Sequence, residues 1–79
     1  MRKSVHTRAY TVLRTHLVAA RKRAGLTQAE LAERLGRKQS FVAKYEGGER
    51  RLDLVEFLEI MRVLDGKAQA TIRAIEAAL

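Results

Sequence analysis

An all-α domain of five short helices is the architecture this sequence predicts, on three observations. The 79 residues include no proline and five glycines, so few positions interrupt a helix. Hydrophobic residues make up 47% of the chain but aromatics only 5%, which leaves Leu, Val, Ile and Ala to build a core suited to packed helices rather than a sheet. Between the glycines, apolar residues recur three and four positions apart, the spacing of one helical face. The length allows one domain, near the size at which a single core only just outweighs the conformational entropy of folding.

The first helix is predicted over residues 7–24, with Tyr10, Leu13, Leu17 and Ala20 or Ala24 on one face and Gly25 in the left-handed cap position. Thr27 and Glu30 stand in the S/T-x-x-E relation of a capping box and start a second helix. Its core face is Leu31, Ala32 and Leu35, and Gly36 stops it. A third short helix runs from Lys38 or Gln39 to about Glu46, with Val42 and Tyr45 inward and Gln39, Ser40, Ala43 and Lys44 outward, until Gly47 and Gly48 end it. Asp53 and Glu56 form a second capping box for a fourth helix over 54–64, whose broad apolar face is Leu54, Phe57, Leu58, Met61 and Leu64. Asp65-Gly66 breaks it. A fifth helix over 69–78 carries a narrow stripe of Ile72, Ile75 and Leu79.

Charge is distributed unevenly. Residues 1–51 hold thirteen Lys/Arg against four acids, a balance of +9, whereas residues 52–79 hold three against five, a balance of −2. With a pI near 10.6, the front two-thirds reads as a polyanion-binding face, and charge alone does not separate DNA from RNA, acidic lipid or an acidic protein. Cysteine is absent, which removes disulfides, thiolate catalysis and cysteine metal sites. His6 and His16 have no carboxylate or cysteine at ligand spacing, so neither a metal nor another cofactor is expected. Arg8, Arg14 and His16 break what would be the apolar stretch of a signal peptide, and no apolar run approaches bilayer length, so a soluble, cytoplasmic protein without a membrane partner is expected. No activated nucleophile or enclosed acid/base pair is evident, and an enzyme is not expected.

Residues 28–47 carry the functional signal. Two short helices meeting at a steep angle need a small residue where their backbones approach, a residue tolerant of positive φ in the turn, and apolar side chains sealing the corner. Ala32, Gly36, and the set Leu31, Leu35, Val42 and Tyr45 meet these demands in order. The wider pattern reads Arg21-x-x-x-Gly-Leu-Thr-Gln-x-Glu-Leu-Ala-x-x-Leu-Gly, then Gln39-Ser-x-Val, then Glu46-x-Gly-x-Arg50. It resembles the lambda-repressor-like, Cro-type (XRE) family of helix-turn-helix proteins over residues 17–64.

That resemblance implies a compact five-helix DNA-binding fold, its helix-turn-helix part over residues 9–66 and its C-terminal helix over 67–79, with helices two and three forming the helix-turn-helix and the third entering the major groove of double-stranded DNA. By the same resemblance Gln39 is the principal base reader, with Ser40 beside it and Phe41 and Lys44 among the variable outward residues. A Gln amide both donates and accepts, which matches the edge of adenine. For Phe41, contact with a thymine methyl and packing against a partner subunit are both open. Gln28 is implied to hold a phosphate and brace Gln39, while Arg37, Lys38 and Arg50 make further phosphate contacts. Arg21 and Glu46 are implied to form an internal ion pair; Lys22 and Arg23 read as a solvated basic helix end.

Two positions depart from the family pattern: Lys38 stands where a capping Ser, Thr or Asp is frequent, and Ala43 replaces a frequent Ser. Residues 1–8, with Arg2, Lys3, His6 and Arg8, form a basic segment that is either disordered or an arm along the DNA backbone. Residues 67–79 are expected to dimerise the domain through Ile72, Ile75 and Leu79, as a surplus apolar strip on a small domain favours a two-fold partner. A homodimeric repressor on a pseudo-palindromic operator follows. The alternative is an antitoxin, restriction-modification controller or phage regulator that also binds a co-encoded protein and autoregulates its operon.

Overall fold

Three of the five helices among the described residues, the first, second and fourth, begin on a side-chain cap. The structure, a computed structural model, describes residues 7–79; Arg2, Lys3 and His6 of the expected basic arm lie outside the described residues. Helix α1 (Arg8–Arg23) is capped by Thr7, whose Oγ1 accepts the Tyr10 N–H at 3.1 Å. Helix α2 (Gln28–Leu35) opens on the Thr27–Glu30 capping box with both reciprocal bonds formed. Helix α3 (Gln39–Glu46) starts at Lys38 with no side-chain cap, and α4 (Leu54–Val63) starts on the Asp53–Glu56 box. Helix α5 (Ala68–Ala77) completes the order. No helix among the described residues is long and apolar enough to cross a membrane.

The turn between α2 and α3 depends on Gly36, at φ +70°. In that conformation the Gly36 N–H reaches Glu33 O at 3.1 Å and the Arg37 N–H reaches Ala32 O at 2.9 Å, satisfying carbonyls that the end of α2 leaves open. A side chain with Cβ is strained at this φ, and the chain then leaves α2 at the angle α3 requires.

Helix α2 packs on α3 and α4, while α1 packs on α5 and α3. Leu17, Leu31, Val42, Tyr45 and Ile60 are fully buried where these helices meet. A further tie between α1 and α5 is the contact of His16 Nδ1 with the buried Thr71 hydroxyl at 3.3 Å.

The fourth and fifth helices depart from the expected faces. Phe57, Ile60, Met61 and Leu64 fill the core, whereas Leu54 and Leu58, expected inside, are 67% and 45% exposed. Apolar residues cover more of α4 than one packing partner can bury: Leu58 lies about 100° round the helix from Phe57, and Val55 lies farther still. Periodicity finds the apolar arc but not the rotation of the helix within it. On α5 the predicted stripe divides, with Ile75 half-buried against the monomer core while Ile72 and Leu79 remain exposed.

Candidate nucleic-acid interface

Helix α3 presents Gln39, Ser40 and Lys44 to solvent, with Lys38 exposed just ahead of them. Val42 and Tyr45 anchor the opposite side of the helix in the core. The fixed 3.6-residue period then points the remaining residues outward as one surface.

Gln39 is not left free to rotate. Its amide nitrogen donates to Gln28 Oε1 at 2.9 Å, and the Gln28 amide nitrogen donates in turn to Glu46 Oε1 at 2.8 Å. Because a carboxylate only accepts, Glu46 forces Gln28 to direct its NH₂ inward and its oxygen towards Gln39. Gln39 then keeps its own carbonyl oxygen and one N–H for a ligand. This is the donor–acceptor pair that the adenine edge complements in the major groove.

Glu46 is itself fixed from α1. Arg21 Nε donates to Oε2 at 2.7 Å and its NH2 to Oε1 at 3.0 Å, while Arg21 NH1 bonds Leu26 O at 2.8 Å. The Arg21 side chain is 11% exposed and that of Glu46 6%, so the pair lies almost out of water. A second arginine, Arg14, also grips this end of α3: its Nε and NH2 donate to the Glu46 carbonyl at 3.2 and 3.1 Å. A cation on the last carbonyls of a helix meets the negative end of its dipole. Arg14 carries no motif or spacing that separates it from the other basic residues of α1, and only tertiary contact reveals its role.

Phe41 requires a correction. Expected to face outward, it is half-buried against the core, its ring edge-on to Tyr45 with centroids 5.4 Å apart. The guanidinium carbons of Arg37 and Arg50 lie 4.4 and 4.9 Å from its centroid. Such cation–π contacts hold both arginines over the ring.

Both arginines also reach Glu56. Arg50 NH1 and NH2 fork onto Oε1 and Oε2 at 3.0 and 2.8 Å, and Arg37 NH2 is 3.4 Å from Oε2. The fork from Arg50, together with the Asp53 N–H, pulls the Glu56 carboxyl down to about 2, so it is ionised at neutral pH. Within the sequence Glu56 reads only as the third residue of a capping box. Its second role arises because the α2–α3 turn, the loop after α3 and the start of α4 converge.

The loop that delivers Arg50 is held by Tyr10 of α1, whose hydroxyl accepts the Leu52 N–H at 2.7 Å. Arg51 lies over the Tyr10 ring at 5.4 Å. Thus the basic residues around α3 rest on side chains from α1, α3 and α4.

Comparison with known proteins agrees with this geometry. Residues 12–75 match the family model described as a helix-turn-helix domain. Among solved structures, an XRE-family like protein from Pseudomonas syringae pv. tomato shares 48% sequence identity, covering 87% of this chain and 84% of that one, with a TM-score of 0.81. A search of curated proteins found no match. With α2 and α3 forming the turn, and the match extending over most of the domain, the chain belongs to the XRE-type family of helix-turn-helix DNA-binding proteins.

Proposed function

We propose that this DNA-binding regulator acts as a homodimeric repressor, reading a pseudo-palindromic operator through Gln39 and blocking a promoter by occupying it. The observation that carries the reading is the oriented amide of Gln39, held at 2.9 Å by Gln28 at the exposed start of α3. Ser40 and Lys44 flank it as further base contacts, and Lys38 and Gln28 position the helix on phosphate. Phe41 supports the face from beneath rather than reading a base. The exposure of Ile72 and Leu79, with Leu54 and Ile72 bordering a shallow apolar groove, supports a two-fold contact. Two copies of α3 then sit about 34 Å apart on successive turns of the major groove.

Gln39→Ala is expected to lower discrimination between cognate and scrambled duplex by about 1 to 3 kcal/mol, while Lys38→Ala weakens both alike. Selection from a random DNA library supplies the cognate site, and titration of both duplexes measures the difference. An equal loss on both duplexes for Gln39→Ala means that another residue reads the base.

For the dimer, sedimentation at micromolar concentration compares the wild type with an Ile72→Asp, Leu79→Asp variant. Ile75 is left intact because it packs within its own monomer. A wild type that remains monomeric even on operator DNA rules the two-fold contact out.

A further inference from the structure

Arg37 and Arg50 approach from opposite ends of α3, yet both meet one carboxylate. The Arg50 fork on Glu56, with its two bonds at 3.0 and 2.8 Å, has the paired geometry that an arginine makes with a phosphate. Arg37 adds the contact at 3.4 Å, and the Phe41 ring holds both guanidinium groups in place. Both arginine side chains are 39% exposed, whereas that of Glu56 is 11% exposed. The cations therefore lie towards solvent with the anion behind them. The Asp53 N–H donates to Glu56 Oε1 at 3.0 Å, so the capping box holds the carboxylate in place whether or not the arginines stay.

From this geometry we infer that Glu56 is an internal stand-in for a DNA phosphate, a positioning residue that withholds Arg37 and Arg50 from the backbone and limits sequence-independent affinity for duplex. The inference rests on the DNA-binding character of the α2–α3 face and is independent of which residue reads bases. A phosphate approaching either arginine exchanges one anion partner for another of the same type, so the contact adds little. Replacing the carboxylate with an amide leaves a single acceptor oxygen, which the Asp53 N–H can retain, and frees the guanidinium groups for phosphate.

The test is binding of a short random-sequence duplex across a salt series by wild type, Glu56→Gln, Glu59→Gln, and Glu56→Gln combined with Arg37→Gln and Arg50→Gln. Glu59 is an exposed acid of the same helix, so its replacement removes equal charge without releasing an arginine. Thermal melting followed by circular dichroism verifies that each variant is folded. Glu56→Gln is expected to bind about tenfold more tightly at low salt, with the slope of log K against log salt steeper by about 0.9 for each arginine released. The triple variant loses that gain. An unchanged or weakened Glu56→Gln, a gain matched by Glu59→Gln, or a gain that survives loss of both arginines overturns the inference. A wild type that binds no duplex at any salt overturns the DNA-binding reading along with it.

Discussion

Glu46→Ala is expected to lower the unfolding free energy by about 3 to 5 kcal/mol, the cost of removing one partner from a buried ion pair. Two features place the change at this end of the scale. The Arg21 side chain is 11% exposed, and without the carboxylate its guanidinium keeps only the Leu26 carbonyl at 2.8 Å among its partners here. Glu46 also accepts from Gln28, so the same substitution leaves a second donor unpaired. A domain of 79 residues has a total stability of roughly 4 to 12 kcal/mol, so this single loss removes a large part of it. Thermal melting measures the effect, at about 4 to 8 °C for each kcal/mol in a domain of this size. A fall below about 1 kcal/mol would place the pair among ordinary surface ion pairs and contradict its burial.

The consequence extends to recognition. Gln28 holds Gln39 only while Glu46 fixes the direction of its amide, so under the base-reading role proposed for Gln39 the folded fraction of Glu46→Ala is expected to lose part of its discrimination between duplexes. The buried ion pair and the orientation of Gln39 share one chain of hydrogen bonds from α1 to the exposed start of α3.

Tyr45 gives the second large effect, and two substitutions separate its components. The side chain is fully buried beneath α3, its ring touching Phe41, yet its hydroxyl has no hydrogen-bond partner among the described residues. Tyr45→Ala is expected to cost about 3 to 5 kcal/mol through lost burial and the cavity left behind. Tyr45→Phe keeps the ring and removes an unsatisfied polar atom. It is expected to be neutral or to stabilise by up to about 1 kcal/mol. Burial pushes the Tyr45 hydroxyl up from its ordinary range, with the Glu46 charge adding to the effect, so the phenol is neutral at physiological pH and no ionic contribution confuses the comparison. Urea denaturation of the three proteins measures both differences. A Tyr45→Phe variant destabilised by more than about 1 kcal/mol means that the hydroxyl is hydrogen-bonded in solution.

Most of the helix pattern was legible in the sequence because its signals are local. Thr27 with Glu30, and Asp53 with Glu56, are three residues apart and form their caps before any tertiary contact is needed. Gly36 takes its positive φ for a reason internal to one residue. The pairing of Arg21 with Glu46 and of Gln28 with Gln39 was implied by the family resemblance, and each pair lies within hydrogen-bond distance.

What only the tertiary structure decided concerns contacts between elements that no periodicity links. The rotation of α4 left Leu58 outside and put Ile60 inside, because an apolar arc wider than one packing face does not specify which edge is buried, while Leu54 is exposed at the first position of the helix. Phe41 stands between Arg37 and Arg50 because the turn before α3 and the loop after it fold back onto the same side. Glu56 meets Arg37 across 19 residues of sequence, a separation at which side chains find each other only after the helices have packed, and the same carboxylate takes Arg50 from the adjoining loop. The sequence by itself determined the five helices, the corner between α2 and α3 and the identity of the outward-facing glutamine. The packed helices decided which charges are free to meet DNA and which are already paired within the protein, since pairing depends on distances that exist only in the folded chain.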